Sequence, residues 1–147
     1  MTVDPYELNN LASLPEHLDV LKRMRIESKE WMIATRDLGL MPEMDMIVEC
    51  DSDGDANRIL AGDSGRKRLE RIITAADAAT AGDRKAVLSA LNDKDYVVRY
   101  WGCIGLGLLP READYHQLMS LLQDRSFSVR IVAAQALLNP LQSQPYP

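Results

Sequence analysis

The sequence predicts an all-α protein in which helices stack in pairs as an α-solenoid, with a long N-terminal helix capping the stack. Apolar residues recur at spacings of three and four over most of the chain, which is typical of one face of a helix. A stretch of 20 residues repeats 31 positions later, which indicates a repeated pair of helices. The chain has 147 residues, 46% of them hydrophobic, which is enough to bury a core.

The first predicted element is a long helix over residues 14–37. Ser13 and Glu16 have the spacing of a capping box, and Pro15 suits the first helical position. Gly39 suits the left-handed residue that ends a helix. One face of this helix is formed by Leu14, Leu18, Leu21, Met24, Ser28, Trp31 and Thr35. We expect this face to pack on the stacked pairs as their cap.

A short second helix is predicted from Pro42, and an acidic loop follows it. The loop, residues 51–65, contains three Gly and four Asp, a composition that breaks helices. The first three ligand positions of an EF-hand calcium loop are matched by Asp51, Asp53 and Asp55. However, Ala56 replaces the required glycine and Gly62 replaces the bidentate glutamate. We therefore predict a solvated acidic loop rather than a calcium site.

Helical patterns resume after the loop and continue to residue 138, and residues 139–147 form a Pro-rich tail. The predicted helices are RKRLERIITAADAATAG, RKAVLSALND, DYVVRYWGCIGLGLL, READYHQLMSLLQD and SFSVRIVAAQALL. The basic run GRKRLER at residues 65–71 begins the first of these, and we expect it to contact the acidic loop. Gly82 is the predicted end of that first helix.

The internal repeat aligns residues 87–106 with the segment 31 positions later, without a gap. Asp93 and Asp124 fall at the turn between the two helices of each pair, where a carboxylate can accept from backbone N–H groups. Arg99 and Arg130 fall in the first turn of the following helix. We predict a ladder in which these aspartates and arginines tie one pair to the next. A solvated surface arginine is the alternative.

Small residues occupy matched positions in the second helix of each pair. They are Gly102, Gly105, Ala133 and Ala136, and they would allow a neighbouring helix to approach closely. The pattern D-x-x-x-x-V-R followed by a helix with small residues resembles a HEAT repeat. The resemblance covers residues 66–138 and implies an array of HEAT-like helical repeats whose first repeat is incomplete.

The N-terminal segment contains the pattern D-P-x-E-x-x-N-L, formed by Asp4, Pro5, Glu7, Asn10 and Leu11. This pattern resembles a turn near the C-terminal end of the type I sulfatase catalytic domain. The stretch EWMIATRDLGLMPEMDM is similar to the segment that joins some bacterial sulfatase-like enzymes, of the arylsulfatase and heparan N-sulfatase kind, to HEAT-like C-terminal repeats. The similarity is carried by Trp31, Asp37, Leu38, Gly39, Leu40, Pro42 and Glu43. Residues 1–50 would then be a sulfatase C-terminal tail segment.

The resemblance implies a parent enzyme that hydrolyses sulfate esters with calcium and a formylglycine, which forms within a C/S-x-P/A-x-R motif. Neither Cys50 nor Cys103 lies in such a motif, and the sequence leaves open whether these two thiols are free. Ser13 begins the nearest match, but His17 stands where the arginine is required. We therefore assign no catalytic, cofactor-binding or metal-binding residue to this chain and expect the catalytic domain upstream. The resemblance also implies a periplasmic or secreted location.

The expected function is a non-catalytic accessory or interaction module of a sulfatase-like hydrolase, with the missing catalytic domain or another protein as partner. The alternative is a stand-alone HEAT-repeat scaffold that binds another protein. A third class, an enzyme built on the solenoid such as a bilin lyase or an alkylpurine DNA glycosylase, lacks matching residues. A net charge of −5 and an isoelectric point of 5.0 argue against nucleic-acid binding. No apolar run approaches the length of a membrane span.

Overall fold

The computed structural model describes residue 8, residues 10–50 and residues 54–142, and these form helices and connecting turns without a β-strand. The prediction of an all-α protein is therefore confirmed. Seven α-helices lie in these ranges: α1 (Leu18–Thr35), α2 (Glu43–Glu49), α3 (Gly62–Ala81), α4 (Arg84–Ala90), α5 (Tyr96–Leu108), α6 (Tyr115–Leu121) and α7 (Phe127–Gln142). Within the same ranges, no helix combines the length and the apolar character needed to cross a bilayer.

The chain divides into two compact units, and the first, Met1–Thr35, contains α1. A 3₁₀ turn at Pro15–His17 precedes this helix, and Leu14 is its N-cap without a side-chain hydrogen bond. The turn runs directly into α1, so the helical stretch begins at Pro15 as predicted, but its N-cap is Leu14 and not Ser13. No residue of α1 is buried, and Trp31 on the predicted apolar face is 59% exposed. The capping role of this helix stays a prediction.

The end of α1 also differs from the prediction, because a residue other than Gly39 adopts the left-handed conformation. Arg36 has a φ of 56°, directly after the last helical residue. The Asp37 carboxylate accepts a hydrogen bond from the Gly39 N–H at 2.6 Å, which closes a short turn. The left-handed conformation is therefore adopted by Arg36, and Gly39 contributes its backbone N–H to the turn instead.

The second unit, Arg36–Pro147, contains α2 to α7. Helix α5 lies at its centre and packs against α3, α4 and α7, while α6 packs against α7 and α2 also contacts α7. The main core comprises Ala78, Val87, Leu91, Cys103, Leu106, Leu118, Val129, Val132, Ala133 and Ala136. The Trp101 Nε1–H donates to the Leu40 carbonyl at 2.9 Å, which ties the segment before α2 to α5.

Helix α3 begins at Gly62, four residues before the predicted start at residue 66, so the loop is shorter than expected. Gly65 is buried, and a Cβ atom there would overlap the backbone carbonyl of Leu60, so only glycine fits. The helix ends as predicted at Gly82, which has a φ of 70°. Within the acidic loop, Asp55 accepts from the Asn57 N–H at 3.0 Å. Asp51 and Asp53, the other two residues that match EF-hand ligand positions, lie outside the described residues.

The two helix pairs keep the register of the sequence repeat. Helix α4 spans residues 84–90 and α6 spans residues 115–121, so both ends are shifted by 31 positions. Helices α5 and α7 begin at residues 96 and 127, again 31 positions apart. Helix α7 continues to Gln142, so the first residues of the predicted Pro-rich tail are helical, and residues 143–147 lie outside the described ranges.

Candidate interaction site

In each helix pair, an aspartate carboxylate closes the turn between the two helices by accepting a backbone hydrogen bond. The Asp93 Oδ1 atom accepts from the Asp95 N–H at 2.8 Å. The Asp124 Oδ1 atom accepts from the Ser126 N–H, also at 2.8 Å. The two turns therefore present the same local structure at positions that the repeat aligns.

Arg99 connects the two turns. Its Nη1 atom donates to the carbonyls of Asp93 and Lys94 at 2.8 and 3.1 Å, within its own turn. Its Nε and Nη2 atoms donate to the Asp124 carboxylate of the next turn at 2.7 and 2.8 Å. The two side chains are only 9% and 7% exposed. This parallel, two-bond geometry is the strongest form of an arginine–carboxylate pair.

The surroundings of this pair keep both groups charged. Burial raises the pKa of Asp124, but hydrogen bonds from Arg99 and from the Ser126 N–H lower it more, so the pKa lies below its ordinary value. The hydrogen bond to Asp124 raises the pKa of Arg99, and burial offsets this rise only in part. The pair is therefore an ion pair across the whole neutral range.

Arg130 repeats only half of this arrangement. Its Nη1 atom donates to the carbonyls of Asp124 and Arg125 at 2.8 and 3.3 Å, as Arg99 does one repeat earlier. Its guanidinium lies over the Phe127 ring, 5.3 Å from the centroid. Its partners among the described residues include no carboxylate. Of the four predicted ladder residues, the structure pairs the side chains of Arg99 and Asp124, while Arg130 reaches only the backbone of Asp124 among the described residues.

Two further arginines, on α3, extend the network in the other direction, and the sequence interpretation missed both. Arg68 lies 31 positions before Arg99, and its Nε atom donates to Asp95 at 2.8 Å. The Nη1 and Nη2 atoms of Arg68 both donate to the Glu49 carboxylate. Arg71 Nη2 donates to Asp93 at 2.6 Å. Arg68, Arg99 and Arg130 are each 31 positions apart, so the repeat spacing alone would have identified Arg68.

The described contacts of the basic run at residues 65–71 differ from the expected ones. Arg68 and Arg71 bind Glu49 of α2 and the two turn aspartates before α5, and Arg66 pairs with Glu70, so none of these contacts among the described residues is with the acidic loop. Within that loop, Asp55 instead pairs with Arg58 at 3.6 Å. Sequence proximity suggested the loop, whereas helix packing brings the more distant carboxylates to the arginines.

Helix α2 is held across the beginnings of α5 and α7 by its acidic side chains. The Tyr96 hydroxyl donates to Glu49 at 2.8 Å, and the Ser128 N–H donates to Asp45 at 3.1 Å. Burial and the neighbouring Glu49 carboxylate together raise the pKa of the Tyr96 hydroxyl above its ordinary value. The hydroxyl therefore stays protonated and acts as a donor.

An open groove of about 610 Å³ lies beside this helix, and we call it the turn groove. It is bounded by α2, by the first part of α3 and by the turns that precede α5 and α7. Arg68, Glu49 and Tyr96 form its wall, and two exposed basic residues, Lys94 and Arg125, line it at positions that the repeat aligns. Arg125 Nη2 donates to the Lys94 carbonyl at 2.9 Å, which links the two turns. The groove thus presents one basic side chain from each turn.

The predicted close-packing residues all lie in the interior: Gly102, Gly105, Ala133 and Ala136 are buried. A Cβ atom at Gly105 would lie 2.6 Å from Val87 Cγ2, and one at Gly102 would lie 2.9 Å from Leu91 Cδ2. These glycines let α5 lie directly on α4, as their spacing suggested.

The two cysteines are free thiols. Cys103 is buried in the core, and burial raises its pKa to about 12, so this thiol is unreactive as a nucleophile. In the part of the chain that the structure describes, no group of three or more His, Cys, Asp or Glu side chains is placed to hold a metal ion.

Comparisons of the chain with protein-family models, with curated proteins and with solved structures give no match. The similarity to sulfatase-like proteins therefore rests on the sequence patterns alone.

Proposed function

We propose that this chain is a non-catalytic interaction module, an array of HEAT-like helical repeats that binds another protein along the turn groove. The observation that carries the proposal is the groove itself, which crosses the turns of successive helix pairs and receives Lys94 and Arg125 at matched positions. Repeat arrays present extended surfaces of this kind, to which each repeat contributes equivalent side chains.

The rigidity of the groove supports the same proposal. Its wall is held by the paired contacts of Arg68 with Glu49 and Asp95, and Arg99 fixes the next turn to Asp124. Because these side chains are already engaged, little side-chain freedom is lost when a partner binds. A preorganised surface of this kind binds more tightly than a mobile one.

The partner that we propose first is the catalytic domain of a sulfatase-like hydrolase, with this chain as its C-terminal accessory region and α1 as part of the connecting tail. The parent would hydrolyse sulfate esters with calcium and formylglycine in its own domain. The similarity of residues 31–43 to the joining segment of such enzymes supports this assignment.

A stand-alone scaffold for a different protein is the second candidate, and one feature of α2 favours it. Met44, Ile47 and Val48 are 56%, 62% and 83% exposed, and Val48 borders the turn groove. Exposed apolar side chains beside charged ones are typical of a protein-binding surface. This patch would contact a partner seated in the groove.

Site-specific photocrosslinking in cells of the source organism separates the two candidates. A photoreactive amino acid replaces Lys94 in the groove, and the matched control carries it at Lys85, an exposed lysine of α4 that does not line the groove. We expect a discrete adduct from position 94 and none from position 85, with the captured protein identified by mass spectrometry.

A crosslink to a sulfatase-like catalytic domain, in the same polypeptide or in a separate one, would support the accessory module, and a crosslink to an unrelated protein would support the scaffold. Equal labelling from both positions would contradict the proposal that the groove is the binding surface.

A further inference from the structure

At the beginning of α7, Arg130 has only half of the partners that Arg99 has, as far as the described residues go, and Arg99 shows what the other half can bind. In the preceding repeat, Arg99 uses Nη1 to hold two carbonyls of its own turn and uses Nε and Nη2 to hold the Asp124 carboxylate. Arg130 holds the two equivalent carbonyls with Nη1. Its Nε and Nη2 atoms donate no hydrogen bond to any residue that the structure describes.

We propose that Arg130 is a preformed carboxylate-binding site that receives an aspartate from the start of a helix in another protein. The guanidinium is already oriented by the two carbonyls and by the Phe127 ring beneath it. A planar fork held in this way matches the two oxygens of a carboxylate. This contact would be additional to the turn groove. It rests on the proposed function only because its ligand is part of another protein.

The aromatic and apolar side chains beside Arg130 are exposed to solvent, whereas those beside Arg99 are partly buried. Tyr96 and Tyr100, which precede and follow Arg99, are partly buried against the core. The residues at the aligned positions, Phe127 and Ile131, are 51% and 43% exposed. An apolar rim around a fixed cation is the arrangement found at strongly contributing interface positions.

The Asp124 carboxylate, which Arg99 binds, indicates which chemical group Arg130 would bind. Asp124 offers its carboxylate to Arg99 while one of its oxygens also accepts the Ser126 N–H at the beginning of α7. The equivalent ligand for Arg130 is therefore an aspartate in the turn before an amphipathic helix. The two turn aspartates of this chain, Asp93 and Asp124, are already bound to Arg71 and Arg99.

A peptide that copies residues 115–142 of this chain is the probe, because it contains the turn that Arg99 binds. The fluorescently labelled peptide is titrated into the full-length chain, and binding is measured by anisotropy. We expect saturable binding that weakens about tenfold to a hundredfold when the peptide carries Asp124→Asn, since hydrogen bonds to charged groups have that strength.

The decisive arm changes the protein. Arg130→Gln should weaken binding of the unmodified peptide by a similar factor and have little effect on the Asp124→Asn peptide. Arg130→Lys, which keeps the charge but loses the fork, should be intermediate, and Arg111→Gln at an exposed arginine should bind like the parent chain. Circular dichroism of each variant verifies that it is folded.

Absence of binding overturns the proposal, as does equal loss with Arg111→Gln. If Asp124→Asn weakens the peptide but Arg130→Gln does not, the peptide has replaced the chain's own turn at Arg99, and the proposal is also wrong. None of these outcomes bears on crosslinking from Lys94, so failure here is distinguishable from failure of the turn groove.

Discussion

Single side chains decide how the two helix pairs are joined, and Arg99 is the most important of them. Removing it by Arg99→Ala leaves the Asp124 carboxylate, 7% exposed, without its counter-charge. Breaking a buried ion pair from one side costs about 3–5 kcal/mol. We expect the free energy of unfolding in urea to fall by about that amount.

A matched control for this substitution is Arg66→Ala on α3. Arg66 pairs with Glu70 at 3.1 Å, but the two side chains are 65% and 44% exposed. Exposed pairs on a helix contribute about 0.3–0.5 kcal/mol, so this variant should be close to the parent in stability. Equal losses from Arg66→Ala and Arg99→Ala would show that charge number, rather than the buried contact, controls stability.

The residues of this network differ in how far the sequence could reveal them. Asp93, Asp124 and Arg99 stand out because each has a counterpart of the same type 31 positions away. Arg68 shares that offset, but the residues around it in α3 are unlike those around Arg99, so the alignment did not extend to it. Glu49 has no repeat counterpart, and only the packing of α2 brings it to Arg68.

At the scale of whole helices, three glycines set how closely neighbouring elements approach. Alanine at Gly107 would meet Ala136 Cβ at 3.2 Å, whereas alanine at Gly105 would meet Val87 Cγ2 at 2.6 Å. At Gly65 the Cβ atom would overlap the Leu60 backbone, which cannot rotate away. An added Cβ atom would therefore meet its neighbour at a shorter distance at Gly105 than at Gly107, and at the shortest distance at Gly65.

We expect stability to fall in the order of these contacts. Alanine is favoured over glycine within a helix by about 1 kcal/mol, which offsets the mild contact in Gly107→Ala. Gly105→Ala should lose about 1–3 kcal/mol by overpacking, and Gly65→Ala should lose more than Gly105→Ala. Urea unfolding of the three variants measures this order, and a stabilised Gly65→Ala would contradict the packing of α3 on the preceding turn.

The helices themselves were predictable, but their ends were less so. Periodic apolar spacing located α3 to α7, because burial of one face requires that spacing wherever a helix packs. The same spacing located α1, although none of its residues is buried, and α2 was predicted from Pro42. The beginning of α3 was missed since Gly62 and Gly65 suggested a loop, although the second of them is a packing contact. The end of α1 was missed because Arg36, rather than Gly39, takes the left-handed conformation.

At the scale of the whole molecule, the buried apolar side chains show which part of the chain forms a core. Among the described residues, all of them lie between Met41 and Ala136, and α1 contributes none. The predicted cap requires residues 1–35 for a stable fold. The distribution of burial leads to the opposite expectation, that residues 36–147 fold without them.

The fragment 36–147 decides between these two expectations. It retains Trp101, whose Nε1–H donates to the Leu40 carbonyl, and lacks Trp31, so fluorescence reports this unit alone. We expect fluorescence and far-ultraviolet circular dichroism to change together in one cooperative transition, close in temperature to that of the full chain. A fragment covering residues 36–109 is the control, because it removes Leu118 and Val129 from the core and should lose cooperativity. If fragment 36–147 instead keeps its helices but binds hydrophobic dyes and melts without a transition, the N-terminal helix is needed as the cap.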